Sequence, residues 1–379
     1  QNWDDHDRSN RYAARDFGAN YLKSCDKEAI IFCNGDNDTF PLWYNIEVEE
    51  ERNDVRACNL SYLQTDWYIS QMKRPYYNSP ALPISWEYKD FMPGKNEVVW
   101  VENRLNAPLE VKKAFQFLHS TDPRTKRDEE GYIPSDQLYV LSPDSQQIMF
   151  KKAKRFTRSE MMVMEMLSTN EWKRPFYFAV TIGNDYHLGL DPYLELTGLA
   201  YRITSERSKN GRPRVNTEVM YDNMLHKFKY GNMNVPGIYI DENTMRMCRT
   251  HRMMFMELIE ALYNEGKHDK CLEVLDFAEA MLPGYNIPYD YTSANMASYY
   301  YQLGEMDKAN AIMTKVADNC AEYMEWGATL TKELRTSAQS TLQHQMAVFS
   351  YVLQNFERYQ QKELFNQYYD IYVQYASVR

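Results

Sequence analysis

The stretch from Ala29 to Lys73 constrains the fold of this chain most strongly, because it has the pattern of two consecutive strand–turn–helix units. The run Ala29–Cys33 is entirely apolar and Val55–Leu60 is apolar except at Arg56 and Asn59, which is typical of strands buried on both faces of a sheet. Polar turns follow both runs, and helices are predicted over Phe40–Glu50 and Trp67–Met72. Strands that alternate with helices predict a mainly parallel sheet covered by helices.

The alternation continues to about residue 235, so we predict an α/β domain over residues 1–235 with a Rossmann-like, three-layer sheet. The segments Arg74–Met92 and Ser120–Gly131 are rich in proline or charge and are predicted to be irregular. The further predicted helices are Asn10–Lys23, Leu109–His119 and Arg158–Asn170, and the further predicted strands are Glu97–Glu102, Leu138–Leu141, Phe176–Ile182 and Leu199–Thr204.

A different pattern begins after this region, where helical spacing of apolar residues continues to the end of the chain. Glu257–Pro283 and Ala294–Ala321 form an internal repeat that aligns Gly266 with Gly304. A small residue lies five positions after each glycine, where two antiparallel helices must approach closely. The pattern resembles the tetratricopeptide repeat. We therefore predict an all-α, tetratricopeptide-like helical-repeat domain over residues 240–379, with a third helix pair or cap near its end.

The charge balance and the missing motifs exclude several classes of function. The chain has 43 Lys and Arg against 53 Asp and Glu, a net charge of −10, whereas a general nucleic-acid binder needs a basic face. There is no Gly-rich phosphate-binding motif, nucleophile elbow or zinc-protease motif, so dinucleotide binding and hydrolytic triads lack support. The six cysteines form no CxxC pair, which favours free thiols. No apolar run is long enough to span a membrane.

The turn after the first predicted strand contains the strongest candidate for a ligand site. Asn34, Asp36, Asn37 and Asp38 offer amide and carboxylate oxygens within one short loop. Such oxygens suit Ca²⁺, Mg²⁺ or Mn²⁺, and Asp36 and Asp38 are the candidate metal ligands. The same residue types are also usual in tight turns and helix caps, so a purely structural turn is the alternative. No other cofactor is implied.

Two other polar loops contain candidate ligand-binding residues. Asp66 and Trp67 place a carboxylate beside an aromatic ring, as sugar sites do, although a helix cap followed by a core tryptophan is the alternative. Asn184, Asp185 and His187 follow a later predicted strand, and a histidine beside an aspartate can act as acid, base or metal ligand. Their alternative is a hydrogen-bonded loop. These residues form no complete catalytic set, so no catalytic residue is named.

Several longer motifs resemble a known family. They are NGDNDTFPLWY, DVRACNLSYLQTDWYISQMK, LGLDPYLELTGLAYRI and the opening NWDDHDRS. They look like the soluble C-terminal region of a bacterial polytopic membrane-protein family of unknown function. That family is distantly similar to protein O-mannosyltransferases and other multi-spanning transferases that use lipid-linked sugars. The likeness covers most of residues 2–205, and the repeat-bearing half matches only by general type.

The resemblance implies that this chain is the extracytoplasmic part of an integral membrane protein, at the periplasmic face of the bacterial inner membrane. It implies that the protein's own N-terminal membrane region is a partner. In such transferases the catalytic carboxylate lies in a loop between membrane helices near the N-terminus. No catalytic residue is therefore carried over to this chain, and whether the chain alone is an enzyme is left open.

The leading hypothesis is an accessory binding domain of a membrane glycosyltransferase-like protein, which contacts an acceptor protein or glycan. One alternative is an autonomous, metal-dependent, carbohydrate-active enzyme that uses Asp36 and Asp38. Another alternative is a structural scaffold for protein–protein interaction. Nucleic acid is not an expected partner under any of the three hypotheses.

Overall fold

A computed structural model describes residues 9–127 and 130–376 of the chain, which form two compact units. Ala14–Gly231 combines strands and helices and is called the α/β unit. The helical unit contains residues 9–13 and the described chain from Asn232 onward. The predicted succession of an α/β region and a helical region is thus confirmed. The motif NWDDHDRS lies outside the described residues, apart from its final Ser9.

The first part of the chain contains strands and helices of very different lengths. Its helices are α1 (Ala13–Lys23), α2 (Asp36–Glu47), α3 (Asp66–Met72), α4 (Tyr88–Phe91), α5 (Val111–His119), α6 (Arg158–Asn170) and α7 (Thr217–Asp222). Its strands are β1 (Ile30–Cys33), β2 (Arg56–Asn59), β3 (Val98–Trp100), β4 (Leu109–Glu110), β5 (Lys126–Arg127), β6 (Glu130–Gly131), β7 (Leu138–Leu141), β8 (Gln147–Met149), β9 (Arg155–Thr157), β10 (Phe176–Ala179), β11 (Leu194–Leu196), β12 (Ala200–Ile203) and β13 (Arg214–Val215). Every apolar run predicted to be a strand contains one.

The main sheet of the α/β unit has the strand order β13-β11-β12-β10-β1-β2. β1 is parallel to both of its neighbours, and Phe32 lies opposite Phe178 on one side and Cys58 on the other. β12 is antiparallel to β10 and to β11. Residues 197–199, which join β11 to β12, are too short a connection for a parallel crossover. The α/β class is therefore confirmed with a mixed sheet, while a Rossmann-like, three-layer arrangement stays a prediction.

β1 forms the centre of the core of this unit. All of its residues are buried, as are all residues of β2 and β10. The Phe32 ring contacts Phe176 and Phe178 at centroid distances of 5.7 and 5.3 Å. The six cysteines are free and buried, in agreement with the interpretation of Cys33 and Cys58 as small apolar side chains.

The structure corrects where some elements begin. α2 begins at Asp36 instead of Phe40, because Gly35 has a φ of 85° and turns the chain directly into the helix. The acidic residues of the predicted turn therefore lie in the first helical turn. Leu109–Glu110 pairs as β4 before α5 begins, and the predicted loop Ser120–Gly131 contains the β5–β6 pair. β8, β9, β11 and β13 are too short to show an alternating pattern in the sequence.

The helical unit consists of antiparallel helix pairs. Its helices are α8 (Glu242–Asn264), α9 (His268–Met281), α10 (Tyr291–Gln302), α11 (Met306–Thr329), α12 (Lys332–Ser337), α13 (Gln339–Arg358) and α14 (Lys362–Ala376). α8–α9, α10–α11 and α13–α14 are the successive pairs, so the predicted third pair is present. None of the helices in the described chain is both long enough and apolar enough to cross a bilayer.

The three pairs share one way of ending their first helix. Gly266, Gly304 and Gln360 have φ values of 72°, 88° and 58°. In each case the next amide donates to a carbonyl five residues back, which satisfies a carbonyl at the helix end. These bonds are Lys267 to Leu262 at 2.9 Å, Glu305 to Tyr300 at 2.9 Å and Gln361 to Phe356 at 2.8 Å. The aligned glycines thus mark equivalent turns, while the tetratricopeptide assignment stays a prediction.

Close packing of α1 against α2 depends on the absence of a side chain at Gly18. A Cβ atom there would lie 2.5 Å from the carbonyl carbon of Pro41, and the Pro41 oxygen also accepts a bond from Asn45 Nδ2 at 2.8 Å. We predict that Gly18→Ala lowers the free energy of unfolding by about 2 kcal/mol, because the two helix backbones must separate. Urea denaturation followed by circular dichroism measures this change.

Gly183→Ala is the matched control for this prediction. Gly183 has a φ of −63°, and a Cβ atom there meets no other atom within 4 Å. The control should change the free energy of unfolding by less than about 0.5 kcal/mol. An unchanged stability of Gly18→Ala would contradict the close approach of α1 and α2.

Candidate functional site

The parallel strands β10, β1 and β2 end at the same edge of the sheet, which is where ligands of α/β proteins commonly bind. The loops that follow them contain most of the predicted site residues. The Ser61 hydroxyl, after β2, donates to Asn34 Oδ1, after β1, at 2.6 Å. This hydrogen bond joins two of the three loops and gives Asn34 a structural partner.

Asp38 is buried inside this edge, with 3% of its surface exposed. Its carboxylate accepts a hydrogen bond from the Tyr21 hydroxyl of α1 at 3.4 Å. The Thr181 hydroxyl, after β10, and the Asn34 amide also donate to it. The Tyr21 and Thr181 hydroxyls lie 2.9 Å apart. Asp38 therefore links α1, the loop after β1 and the loop after β10.

Burial raises the pKa of the Asp38 carboxyl above its ordinary value, while the hydrogen bonds from Thr181, the Asn34 amide and Tyr21 oppose part of the rise. Burial also raises the pKa of the Tyr21 hydroxyl, and the charge on Asp38 adds to that effect. All of these groups already have partners. The network thus holds these segments together and is not arranged as a solvent-accessible acid or base.

The two candidate metal ligands lie in different environments. Asp36 and Asn37 are exposed at the start of α2, whereas Asp38 points into the core. An ion shared by Asp36 and Asp38 would have to displace the donors that Asp38 already binds. Within residues 9–127 and 130–376, no group of three or more His, Cys, Asp or Glu side chains could hold a metal together.

Asp66 and Trp67 lie at the beginning of α3. Asp66 is the first helical residue, and its carboxylate accepts a hydrogen bond from the Tyr88 hydroxyl at 3.0 Å. Trp67 leaves 55% of its surface exposed. The alternative of a core tryptophan is therefore wrong, and the Trp67 ring is free to contact a ligand at the surface.

Asn184, Asp185 and His187 lie in one short 3₁₀ turn after β10, but they face different surroundings. Asn184 and Asp185 are exposed. His187 is 1% exposed, its Nδ1 lies 2.8 Å from Asp191 Oδ1, and its ring is 5.0 Å from that of Phe178. The buried imidazole holds the loop against the sheet, so the structure does not present these three side chains as one site.

Four aromatic residues form a contiguous surface around the ends of β1 and β2, and we call them the aromatic surface: Phe40, Trp43, Tyr62 and Trp67. Successive ring centroids lie 5.9, 6.1 and 5.9 Å apart. Phe40 is 51% exposed and Trp67 is 55% exposed. Because adjoining exposed apolar groups commonly mark interaction sites, this surface is the strongest candidate for ligand contact.

Only Trp67 among these four residues is predicted from the sequence to be a site residue. A signal for the others exists, since Phe40 and Trp43 are three residues apart and share one face of a helix. Tyr62 lies in the next loop that follows a strand. Pairing of β1 with β2 is what places the two segments side by side.

The raised pKa of Asp38 predicts a definite pH dependence of stability. The unfolded chain releases this proton near the ordinary carboxyl value, whereas the folded chain keeps it to higher pH. We therefore compare the free energy of unfolding of the wild type with that of Asp38→Asn. The wild-type value minus the Asp38→Asn value should fall as the pH rises from the ordinary carboxyl pKa to the raised pKa of the folded state, and stay constant above it. Urea denaturation of both proteins across this range measures the difference.

Asp54→Asn supplies a control of opposite sign. Burial opposes ionisation of Asp54, but the Arg52 guanidinium at 2.8 Å and the Glu28 amide outweigh it and lower the pKa. The free energy of unfolding of the wild type minus that of Asp54→Asn should rise as the pH increases from the lowered pKa of the folded state to the ordinary carboxyl pKa. A difference that rises with pH for Asp38 as well would contradict the buried network.

One family model matches the part of the chain that contains this site. The model described as TMEM260-associated domain 2 matches residues 14–152 and 141–219, and all the candidate site residues lie in these ranges. Its description associates the domain with a membrane protein. No curated protein and no solved structure matches the chain significantly. With more than half of its 379 residues matched, the chain belongs to the TMEM260-associated domain 2 family.

Proposed function

We propose that this chain is the recognition region of a membrane glycosyltransferase-like protein, and that it contacts an acceptor protein or glycan. In this proposal the bond-forming residues lie in the protein's own membrane region, which is distantly similar to O-mannosyltransferases. The chain faces the periplasm as the soluble part of that protein. The family's association with a membrane protein supports this setting.

The aromatic surface is the observation that carries the proposal. The apolar C–H faces of sugar rings pack well on flat aromatic side chains, and aromatic residues keep their shape at little entropic cost. Phe40 and Trp67 are each more than half exposed although burial would stabilise them. They lie at the sheet edge where the loops after β1 and β2 meet, so a ligand can reach them directly.

The buried polar groups favour recognition over catalysis. Asp38 and His187 are the site residues best suited to acid–base chemistry, and both are almost completely buried. The Tyr21 hydroxyl lies 3.4 Å from the Asp38 carboxylate, and Asp191 lies 2.8 Å from His187 Nδ1. An acid or base must reach the proton that it transfers, so neither residue is placed to act on a bound substrate.

A cluster of tyrosines in the helical unit supports contact with a protein acceptor. The rings of Tyr263 and Tyr299, on α8 and α10, lie 5.3 Å apart. Tyr351, on α13, lies 5.3 Å from Tyr291 of α10. The first helices of all three pairs thus contribute to one tyrosine-rich face. In a tetratricopeptide-like array, such a face binds extended peptides.

Binding of a panel of hexose-bearing glycopeptides, and of the same peptides without sugar, tests the proposal. Trp67→Ala should weaken binding of the glycopeptides about tenfold, because it removes the most exposed ring of the aromatic surface. Trp100→Ala is the matched control, since Trp100 is 56% exposed but lies in β3. Biolayer interferometry with the immobilised chain measures both affinities.

Two results would contradict the proposed function. One is transfer of a sugar from a nucleotide or lipid-linked donor by this chain alone, particularly if it required Mn²⁺ and was lost in Asp36→Ala. The other is failure to bind any peptide of the panel, with or without sugar. Equal binding of the glycopeptides and the sugar-free peptides, by both the wild type and Trp67→Ala, would instead favour an interaction scaffold.

A further inference from the structure

A groove with a volume of 230 Å³ lies within the α/β unit, between α2 and α3 and along β2. We call it the β2 groove, and the residues on which its chemistry depends are Trp43, Glu47, Arg56, Trp67 and Tyr76. β2 is the last strand of its sheet and pairs only with β1 in the described part of the chain. α2 and α3 therefore form the two walls of the groove, and no further strand of the described chain fills the space between them.

The walls of the β2 groove are largely aromatic. Trp43 and Trp67 belong to both the groove and the aromatic surface, and Tyr76 adds a third ring. Trp67 is 55% exposed and Tyr76 is 39% exposed, so solvent reaches both rings. A flat ligand with apolar faces can therefore pack against the Trp43 and Trp67 rings, which are already in place.

Arg56 provides a buried cationic donor in the lining of the groove. It is 4% exposed, and its Nη2 donates to the carbonyl oxygens of Gln71 and Arg74 at 3.3 and 3.2 Å. Its Nη1 is buried and has no acceptor among the described residues. A buried donor without a partner is unfavourable. An oxygen atom that entered the groove would remove this deficiency.

Tyr76 lies over this donor and is itself held at the surface. The centre of the Arg56 guanidinium is 5.2 Å from the Tyr76 ring centroid. Exposed Glu47 accepts hydrogen bonds from the Tyr76 and Tyr77 hydroxyls, both at 2.8 Å. The Tyr76 ring is thus restrained by a surface hydrogen bond, a cation–π contact and the neighbouring Tyr77 ring, whose centroid is 4.6 Å away. Glu47 and Tyr77 are both exposed, so a ligand can displace the ring.

The polar groups of the groove select against charged ligands. An anion that approached Arg56 would also meet the carboxylate of Glu47, and a cation that approached Glu47 would meet the guanidinium. A neutral hydroxyl suits both groups, because it accepts from Arg56 and donates to Glu47. The aromatic walls add the requirement for a ring with apolar faces.

We propose that the β2 groove is a subsite for one neutral hexose residue of the acceptor glycan. The ring stacks against Trp67 and Trp43, one hydroxyl donates to Glu47, and another moves the Tyr76 ring aside and accepts from Arg56 Nη1. This inference rests on the proposed function and specifies the sugar class and the contacts that it leaves open.

Titration of the chain with methyl α- and β-hexopyranosides tests the inference, with tryptophan fluorescence and indole N–H NMR signals as readouts. The gluco, galacto and manno sugars form the neutral panel, and methyl glucuronide is the charged probe. We expect saturable binding of at least one neutral hexoside, with shifts at Trp43 and Trp67 and none at Trp100. The glucuronide should bind more weakly than its neutral counterpart, because Glu47 repels it.

Glu47→Gln and Tyr76→Ala are the variants specific to the groove, and both change exposed side chains. Glu47→Gln should weaken hexoside binding about fivefold or more, through loss of a charged acceptor. Tyr76→Ala should strengthen binding, because it removes the ring that the hydroxyl must move aside. Glu49→Gln is the matched control, since Glu49 is also exposed and accepts a tyrosine hydroxyl, that of Tyr44 at 2.9 Å, but does not line the groove. Thermal unfolding of each variant confirms that it is folded.

The possible failures are distinguishable. If no methyl hexoside binds while the glycopeptides still bind through Trp67, the inference is wrong and the proposed function stands. If neither the hexosides nor the glycopeptides bind, both are wrong. Tighter binding of the glucuronide than of the neutral sugars, or equal losses in Glu47→Gln and Glu49→Gln, would also overturn the assignment of the groove.

Discussion

Complete burial of β1 between two parallel neighbours is the constraint on which the α/β unit depends. Since both faces and both edges of the strand are covered, polar residues can occur only after its last residue. Asn34 and Asp38 follow that end, and the buried Asp38 carboxylate collects donors from α1 and from the loop after β10. The acidic segment therefore holds the loops at this edge of the sheet together. The side chains around it are the ones that can contact a ligand.

The position of β2 at the end of the sheet has the opposite effect. Only β1 pairs with it among the described strands, so α2 and α3 flank an open side that no further strand fills. Trp43 and Trp67 occupy this space as incompletely covered rings, and Arg56 reaches it from the strand itself. One buried strand and one edge strand thus explain why anchoring and recognition residues lie so close together in the chain.

The sequence predicts the buried elements of this fold well because they need many apolar residues in succession. β1 and β10 follow from such runs, and the paired glycines predict the first two helix pairs. Strands such as β8 and β13 depend on tertiary pairing, because two or three residues carry no pattern of their own. The site is less predictable. The sequence does not show that the Trp67 ring is exposed, nor that Nη1 of the strand residue Arg56 lacks an acceptor among the described residues, because both depend on tertiary packing.

The central claim is that this chain recognises a glycan through the tryptophans beside β1 and β2. The most direct measurement is the ¹H–¹⁵N spectrum of the indole groups during titration with a hexose-bearing glycopeptide. We expect the Trp43 and Trp67 signals to shift, the Trp100 and Trp172 signals to stay in place, and the sugar-free peptide to leave Trp43 and Trp67 unchanged. Unchanged Trp43 and Trp67 signals at saturating glycopeptide, or identical shifts with the sugar-free peptide, would contradict it.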